Sequence, residues 1–320
     1  MSLHIAIQMD PIESINIKRD STYLLALEAQ RRGHHLYYYQ PHELFLDNGN
    51  VMGHLTEITL HESQDHYFDL GERRLMEMTR MHIVLMRQDP PFDMNYLTYT
   101  YLLERIHPGT LVINNPTEVR NCPEKLFACR FPELMPPTLI TGDMEQATAF
   151  FHIHQKVILK PLYAFGGQNI HCAESLAEFH EKYRSLQNLY SAPVMLQLFL
   201  PNITKGDKRI ILIDGEIAGA LNRIPKNHAY LSNMAQGGTA VKTKITPKDK
   251  LICDTLKPEL KRRNLLLAGI DVIDGFLTEI NVTSPTGLKV INGLENIHLE
   301  NQFWDVVEAK YKNRKPASAL

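Results

Sequence analysis

The sequence has 320 residues, 44% of them hydrophobic, and a formal net charge of −2 at pH 7. A chain of this length exceeds a single ordinary hydrophobic core, so we expect two or three domains. The balanced charge argues against a nucleic-acid-binding surface and against a polybasic membrane-binding surface. No hydrophobic run approaches the roughly 18 residues that a membrane helix needs, so we expect no membrane segment.

The N-terminus and the cysteines both indicate a cytoplasmic protein. Residues 1–9 lack a basic segment followed by a long hydrophobic one, and they are typical of a first strand, not of a signal peptide. The cysteines form no Cys-x-x-Cys pair, which argues against a zinc or redox motif and suits a reducing compartment. They stand at four scattered positions: Cys122, Cys129, Cys172 and Cys253.

A strand, a helix and a second strand open the chain. Leu3 to Gln8 and His34 to Tyr39 are the predicted strands. Ser21 to Arg32 is the predicted helix, with Asp20 or Ser21 as its N-cap. This order implies a parallel sheet with a right-handed crossover. The first turn lacks the glycine fingerprint of dinucleotide sites, which argues against a Rossmann dehydrogenase.

Two further strands extend this sheet, and a domain boundary follows them. The strands are predicted at Ile83 to Met86 and Leu111 to Asn114, and the boundary lies near Cys122-Pro123. A short helix over Glu124 to Arg130 begins the next part of the chain.

The remainder combines strands, hairpins and a closing helix. Single strands are predicted at Lys156 to Leu159 and Val194 to Leu200, and antiparallel hairpins turn at Asp214-Gly215 and Asp274-Gly275. Residues 227–238 have few hydrophobic anchors and are predicted to form a mobile loop. The chain ends in a helix over residues 303–311 and a frayed tail over 313–320.

Two lysines are candidates for phosphate binding, because no Gly-Lys-Ser/Thr phosphate loop is present. Lys160 ends an apolar strand, where an ammonium group needs a partner, and Lys125 is the second candidate. Gly166-Gly167 follows closely and would let backbone N–H groups approach an anion. A lysine at a strand end is more often a solvated residue, and a Gly-Gly pair is more often only a turn.

The second hairpin carries three oxygen ligands, Asp271, Glu279 and Asn281. Glu279 and Asn281 share a face, because they are two residues apart on one strand. Two carboxylates and an amide oxygen suit Mg²⁺, a hard ion that prefers oxygen ligands. The alternative is an ordinary polar face exposed to solvent.

The turn decides whether Asp271 joins this face. A two-residue turn ending at Gly275 pairs Asp271 with Thr278 and places it opposite to the Glu279 face. A three-residue turn ending at Gly275 pairs Asp271 with Leu277 and places it on the Glu279 face. The three-residue turn is favoured, because it also gathers one apolar set on the other face: Val272, Phe276, Ile280 and Val282.

Two arginines lie on or next to the first hairpin. A two-residue turn sets Arg209 opposite Ala220 and leaves Arg223 beyond the paired strands. Arginines at such positions can bind carboxylate or phosphoryl oxygens with two hydrogen bonds. They are more often ordinary charges at a sheet edge.

Together these stretches resemble the bacterial type of glutathione synthetase, a member of the ATP-grasp superfamily. The likeness spans nearly the whole chain in the order and spacing of that family. It is carried by Met9 to Ile12, Leu27 to Gly33, Met86-Arg87, Asp89 to Asp93, Glu124 to Phe127, Leu159 to Leu162, Gly206 to Arg209, Arg223 to Pro225 and Thr278 to Thr286.

The resemblance implies an α/β fold: an N-terminal parallel α/β (pre-ATP-grasp) domain followed by an ATP-grasp fold of two α+β subdomains. The expected limits are 1–122 for the N-terminal domain, 123–202 for the lid subdomain and 203–312 for the core subdomain, with a flexible tail over 313–320. ATP is expected between the last two subdomains, and a homotetramer is expected.

The resemblance also implies site residues. Nucleotide binding is expected from Lys125, Lys160, Gly166, Gly167, the segment Gln197, Leu198, Phe199 and Leu200, and Asp207. Asp271, Glu279 and Asn281 are expected to bind Mg²⁺ or Mn²⁺. Substrate contacts are expected from Arg209, Arg223, Asn281, Ser284, Pro285 and Thr286, with Arg209 and Lys160 at the reacting groups.

The implied reaction transfers the γ-phosphoryl group of ATP to the C-terminal carboxylate of γ-glutamylcysteine, and the amine of glycine then attacks the acyl phosphate. Phosphoryl transfer needs positioning and charge neutralisation, which lysines, an arginine and magnesium supply. The alternatives are an ATP-grasp ligase that acts on another peptide or amine, and an ATP-binding paralogue with low turnover.

The sequence departs from the family at its loops. Tyr163-Ala164 replaces an Asp-Gly pair, Leu231 to Asn233 replaces Arg-Gly-Asn, and Lys289-Val290 replaces Arg-Glu. Alanine costs about 1 kcal/mol or more where a glycine takes positive φ. We therefore expect the loop at residues 163–167 either to close less readily over the phosphates or to repack without a kinetic effect.

Overall fold

The computed structural model describes residues 2–226 and 238–314. These residues form three sheets with flanking helices. The predicted mobile loop at 227–238 and the predicted tail at 313–320 fall almost wholly outside the described residues. Among the helices of the two described ranges, none combines the length and the hydrophobicity that a membrane crossing requires.

The first sheet is mixed and contains seven strands. They are β1 (His4–Gln8), β2 (His35–Tyr39), β3 (Leu44–Asp47), β4 (Asn50–Leu60), β5 (Phe68–Glu77), β6 (Ile83–Met86) and β7 (Leu111–Ile113). The order is β3-β4-β2-β1-β6-β7, and β5 pairs with β4. Strands β2, β1, β6 and β7 are parallel, as the sequence predicted.

Helices flank the parallel part of this sheet. They are α1 (Ser21–Arg31), α2 (Met94–Glu104) and α3 (Pro116–Asn121). Asp20 is the N-cap of α1, because its Oδ1 accepts a hydrogen bond of 2.6 Å from the backbone N–H of Tyr23. That contact satisfies one of the amides that a helix start leaves unpaired.

The antiparallel extension formed by β3, β4 and β5 was not predicted. Strand β5 is exposed along most of its length and has no alternation of apolar and polar residues. Strand β4 alternates buried and less buried residues, and a register shift between Thr56 and Ile58 displaces this alternation by one residue. The exposure of β5, and the glycine, histidine and bulge within β4, weaken the apolar alternation by which a strand is recognised from sequence.

The second sheet has its own helices and its own core. Its strands are β8 (Thr138–Thr141), β9 (Val157–Pro161), β10 (His171–Ala173) and β11 (Val194–Leu198), all antiparallel in the order β10-β9-β11-β8. Helix α4 (Glu124–Ala128) precedes it, and α5 (Met144–His154) and α6 (Leu176–Tyr190) cover it. Phe151, Phe179 and Tyr183 fill a core separate from the rest of the molecule.

The third sheet is antiparallel and is the scaffold of the candidate site. Its strands are β12 (Asp207–Ile213), β13 (Glu216–Ile224), β14 (Thr239–Val241), β15 (Leu267–Ile273) and β16 (Phe276–Asn281), in the order β14-β13-β12-β15-β16. Helices α7 (Pro247–Arg262), α8 (Leu288–Glu295) and α9 (Leu299–Asn313) complete this part. The predicted closing helix at 303–311 is the middle of α9.

The second hairpin corrects one expectation and reaches the expected face by another route. Its turn has two residues, not three, because Ile273 pairs with Phe276. Both turn residues have positive φ, Asp274 at 54° and Gly275 at 76°, which is the conformation that Asp-Gly favours in a two-residue hairpin.

A bulge at Thr278 then restores the polar face. Val272 pairs with Leu277 and Asp271 pairs with Glu279, so Thr278 is the extra residue on β16. Its Oγ1 donates a hydrogen bond of 3.1 Å to the carbonyl of Asp271. The prediction that Phe276 lies on the buried face is wrong. Leu277 is buried in its place, and Phe276 is only partly buried.

A bulge also changes the first hairpin. The two-residue turn is as predicted, but a register shift between Ile211 and Leu212 pairs Arg209 with Leu221 instead of Ala220. Arg223 lies inside the ladder opposite Asp207, not beyond it. Both predicted positions are therefore wrong: the extra residue shifts the partner of Arg209, and both strands extend two residues further than predicted, which brings Arg223 into the ladder.

The first and third sheets share their hydrophobic cores, and Asn114 joins them directly. Its Nδ2 donates to the carbonyls of Leu267 and Val282 at 2.7 Å each. Its Oδ1 accepts from the N–H of Leu267 at 2.9 Å. Asn114 is buried, so these three contacts replace water for backbone groups at the junction.

We expect Asn114→Ala to lower the free energy of unfolding by about 3 kcal/mol, because it leaves buried backbone groups without partners. Urea denaturation monitored by fluorescence measures this loss. The control is Asn121→Ala at the exposed end of α3, which should change stability by less than about 0.5 kcal/mol. Equal effects of the two variants would contradict the role of Asn114.

Candidate functional site

Two adjoining cavities border the third sheet, the smaller on the side of the second sheet and the larger on the side of the first sheet. The smaller has a free volume of about 90 Å³ and the larger about 470 Å³. Gly166, Gln168 and Glu279 line both. Every residue assigned to the site from sequence lines one of them.

The smaller cavity gathers the residues expected to bind nucleotide. They are Lys125, Lys160, Gly166, Gly167, Gln197, Leu198, Phe199, Leu200 and Asp207. The larger cavity gathers those expected at the substrates: Arg209, Arg223, Asn281, Ser284, Pro285 and Thr286. Glu279 stands where the two meet, and Asp271 lines the smaller one.

Lys160 has the partner that its position requires. It pairs with Met195 across β9 and β11, and its Nζ donates a hydrogen bond of 2.6 Å to Oε1 of Gln197. Burial lowers the pKa of the Lys160 ammonium, because few water molecules remain to solvate the charge. A bound anion would stabilise the charged form of this lysine.

Lys125 links the loop and the acidic part of the site. Its Nζ lies 3.0 Å from Oε1 of Glu279 and donates a hydrogen bond of 2.6 Å to the carbonyl of Ala164. Lys125 is buried. A phosphate group that binds Lys125 would compete with this backbone carbonyl.

A buried ionic network joins three strands of the third sheet. Arg209 donates from Nε to Oδ1 of Asp271 at 2.5 Å and from Nη2 to Oδ2 at 3.0 Å. Arg223 places Nη2 at 2.9 Å from Oδ1 of Asp271 and at 2.5 Å from Oδ2 of Asp207. All four side chains are at most 8% exposed as residues. The two guanidinium groups hold the pKa of Asp271 well below its usual range, against the effect of burial.

The three side chains expected to bind magnesium lie side by side on β15 and β16. Asp271 and Glu279 are direct neighbours across the β15–β16 ladder, and the Nδ2 of Asn281 donates to the carbonyl of Gly269 at 3.1 Å. Carboxylate and amide oxygens are the ligands that Mg²⁺ prefers. The donor set therefore fits a hard divalent cation.

Glu124 is a further acidic residue that sequence analysis did not assign to the site. Its Oε1 accepts a hydrogen bond of 2.6 Å from Thr283. Burial, and then the charge of Glu279, raises the pKa of Glu124 to about 7. The two carboxyl groups repel each other when both are ionised, so a cation between them would relieve this repulsion.

The larger cavity carries both signs of charge. Its wall includes Arg87 and three carboxylates, Asp10, Asp20 and Asp89. Burial raises the pKa of Asp20 and of Asp89, and the charge of Asp10 raises that of Asp89 further. Burial lowers the pKa of Arg87, whose Nη2 donates to the carbonyl of Pro285 at 3.1 Å.

Sequence analysis assigned none of these four residues to the site, although a signal was present for three of them. Asp10 follows β1, and Arg87 and Asp89 follow β6. These are adjacent parallel strands, and ligands of open α/β sheets bind beyond the carboxyl ends of the strands. The polar residues at those two strand ends therefore pointed to the same edge.

The loop after Lys160 corrects another expectation. In residues 163–167 the positive φ values belong to Gly166, at 63°, and Gly167, at 79°, not to Ala164. The expected strain of alanine at a glycine position is therefore absent in this conformation. The ring of Tyr163 is exposed, whereas Phe165 lines the larger cavity.

The other two departures from the family lie apart. Leu231 to Asn233 fall outside the described residues. Lys289 lies in α8, where its Nζ donates a hydrogen bond of 2.6 Å to the carbonyl of Ile17, and Val290 packs against the adjoining core.

Two expected metal ligands should respond differently to loss of charge. Asp271→Asn leaves the buried Arg209 and Arg223 without their shared carboxylate and should lower the free energy of unfolding by about 3 kcal/mol. Glu279→Gln should change it by less than about 1 kcal/mol, because an amide oxygen still accepts from Lys125 and repulsion with Glu124 disappears.

Urea unfolding without nucleotide or metal measures both variants. Equal losses would contradict the distinction between a carboxylate on which the stability of the third sheet depends and one on which it does not.

The comparisons with known proteins agree along the whole chain. The sequence model described as "Prokaryotic glutathione synthetase, N-terminal domain" matches residues 3–120, and that described as "Prokaryotic glutathione synthetase, ATP-grasp domain" matches residues 124–296. The protein named glutathione synthetase in Rhodopseudomonas palustris is 48% identical over 311 residues, which is 97% of this chain and 99% of the relative. That of Mesorhizobium japonicum is 46% identical over 313 residues, 98% of this chain and 100% of the relative.

Solved structures share the fold at low sequence identity. The crystal structure of D-cycloserine synthetase DcsG aligns with a TM-score of 0.66 and 14% identity, covering 96% of this chain and 99% of that one. The ATP-grasp ligase PsnB, complexed with minimal precursor, Mg and ADP, aligns with a TM-score of 0.61 and 18% identity, covering 97% and 98%. With two family matches that together span residues 3–120 and 124–296, and relatives nearly half identical at full length, this chain belongs to the prokaryotic glutathione synthetase family.

Proposed function

We propose that this protein is an ATP-dependent ligase that joins γ-glutamylcysteine to glycine through an acyl-phosphate intermediate. The observation that carries the proposal is the meeting of two cavities at Glu279, one lined by lysines and a glycine loop and the other by charges of both signs. Transfer of a phosphoryl group to a carboxylate requires such a junction, because donor and acceptor must be held in line.

The smaller cavity supplies groups for each part of ATP. Lys125 and Lys160 would neutralise phosphate charge, and the backbone of residues 197–200 would contact the adenine edge. Asp207 would contact the ribose, since it lines the smaller cavity. Leu198, Phe199, Leu200 and Ile203 give this cavity an apolar part that supports binding of an aromatic base between the second and third sheets.

Magnesium, held by Asp271, Glu279 and Asn281, would neutralise the charge that develops on the transferred phosphoryl group. Mn²⁺ offers the same charge and accepts the same oxygen ligands, so it should support the reaction as well. Arg209 would help to position the reacting groups, because it borders the larger cavity while Asp271 fixes its guanidinium group.

The larger cavity suits a zwitterionic dipeptide. A γ-glutamylcysteine molecule carries two carboxylates and one ammonium group, and the cavity wall has arginines and carboxylates for both kinds of charge. Arg209 and Arg223 both contact Asp271, an expected metal ligand, which supports their contact with the carboxylate that is phosphorylated. Asp10, Asp20 and Asp89 would then face the ammonium end.

The family relationship supports two further proposals. We infer a homotetramer, which light scattering of the purified protein would detect as four times the mass of one 36.7 kDa chain. We also place the protein in the cytoplasm, where free cysteines remain reduced.

The reaction is tested by ADP release from purified protein. We expect release with ATP, Mg²⁺, γ-glutamylcysteine and glycine together, and little when either substrate is omitted. Glu279→Gln should lower the rate by at least about 100-fold, because it removes a charge beside the reacting phosphoryl group. The control is Glu174→Gln, whose side chain is 65% exposed and lines neither cavity.

Two outcomes would contradict the proposed substrates. Release only with another acid or amine would indicate a different ATP-grasp ligase, and ATP binding without release would indicate a paralogue of low turnover.

The glycine loop generates a prediction about coupling. We expect Phe165→Ala to increase the ADP formed per peptide bond, because its ring lines the larger cavity and its loss admits water to the acyl phosphate. Tyr163→Ala, in the same loop but with a ring 43% exposed, should leave the ratio unchanged. The same ratio in both variants and in the native protein would show that Phe165 does not exclude water.

A further inference from the structure

A cluster of two histidines and an aspartate lies outside both cavities, where β4 and β5 are joined. His61 directly follows β4, His66 lies in the connecting segment, and Asp69 is the second residue of β5. The Nε2 of His61 is 2.7 Å from Oδ2 of Asp69, and the Nε2 of His66 is 2.9 Å from Oδ1. The two imidazole rings are stacked, with centroids 5.2 Å apart and an angle of 20° between their planes.

The strand ladder holds these side chains on one face. Thr59 pairs with Asp69 and Leu60 pairs with Phe68, and the N–H of His61 donates to the carbonyl of Tyr67 at 3.0 Å. His61 is therefore the diagonal neighbour of Asp69 across the two strands, which is within reach for long side chains. The register, not chance proximity of mobile side chains, brings the imidazole and the carboxylate together.

We propose that His61, His66 and Asp69 bind one divalent first-row transition-metal ion, for which Zn²⁺ is the probe. One ligand atom from each residue lies within 4.8 Å of the others, so small rotations would direct all three at a common ion. Two imidazole nitrogens and one carboxylate oxygen are a set that Zn²⁺ accepts, with water as the fourth ligand. Mg²⁺ prefers oxygen ligands, so this site is chemically distinct from the acidic site at Glu279.

The exposure of the cluster allows an ion to enter. The side chains of His61, Asp69 and His66 are 37%, 57% and 65% exposed. Bound water can therefore complete the coordination shell without any rearrangement of the core.

The site also has a physical connection to the larger cavity. The carbonyl of His61 accepts a hydrogen bond from the hydroxyl of Tyr23, and the hydroxyl of Tyr67 donates to the carbonyl of Ile12 at 2.9 Å. Ile12 and Tyr23 flank the segment 14–22, most of which lines the larger cavity. An ion that immobilises residues 61–69 would thus restrain one wall of that cavity.

The test is calorimetric titration of the untagged full chain with Zn²⁺ in the presence of excess Mg²⁺. We expect one equivalent to bind in the native protein, and His61→Ala and Asp69→Asn each to weaken that binding by more than the roughly tenfold that loss of an outer-shell partner costs. His42→Ala, which removes another exposed histidine, should leave it unchanged. Binding of the same strength in all four proteins, or no binding in the native protein, would overturn the proposal.

Hydrogen exchange gives a second readout that does not depend on calorimetry or on ligase activity. We expect Zn²⁺ to slow amide exchange in residues 61–69 and 12–23 of the native protein and of His42→Ala, but not of His66→Ala. Slowing that persists in His66→Ala would place the bound ion elsewhere and overturn the assignment.

Discussion

The site depends on the ionic interaction of Arg209 and Arg223 with the one carboxylate of Asp271. Removing these charges from water is costly, and the network offsets that cost only because several charge-assisted hydrogen bonds are made at once. The three residues belong to β15, β12 and β13, so the network also fixes how these strands align. Glu279 and Asn281 then take their positions from the neighbouring strand β16, which is paired with β15.

The two cavities are built from parts of the molecule with different hydrophobic cores. The first and third sheets share their cores and are joined by Asn114, so most of the wall of the larger cavity belongs to one continuous body. The second sheet has a core of its own and contributes Lys160 and Gln197 to the smaller cavity. Lys125, which contacts both Glu279 and the carbonyl of Ala164, connects the glycine loop to the acidic site. Movement of the second sheet would therefore alter the smaller cavity and the part of the larger cavity that Phe165 and Gly166 line, while the walls from the first and third sheets stay in place.

Local sequence patterns predicted many of the strands and helices, but bulges prevented them from predicting which residues pair across the hairpins. The parallel strands and α1 follow from apolar periodicity and from the cap at Asp20. The two-residue turn at Asp274-Gly275 and the position of Asp271 on the Glu279 face could not both be derived from the sequence. The bulge at Thr278 moves the later residues of β16 to the opposite face of the sheet. In the first hairpin, the Cβ of any other residue at Gly219 would lie 2.7 Å from Ile291, so this stretch is shaped by helix α8, which is distant in sequence.

By itself the sequence determined the fold class, the family and the types of residue available for the chemistry, because periodicity, turn residues and lysine or carboxylate positions are local properties. Only the tertiary structure decided which of these residues meet. It placed Arg223 opposite Asp207, brought Glu124 beside Glu279, and gathered Asp10, Arg87 and Asp89 in one wall. These relations depend on bulges and on packing between segments far apart in the chain, and the burial that shifts the pKa of Glu124 and Lys160 exists only after the sheets have come together.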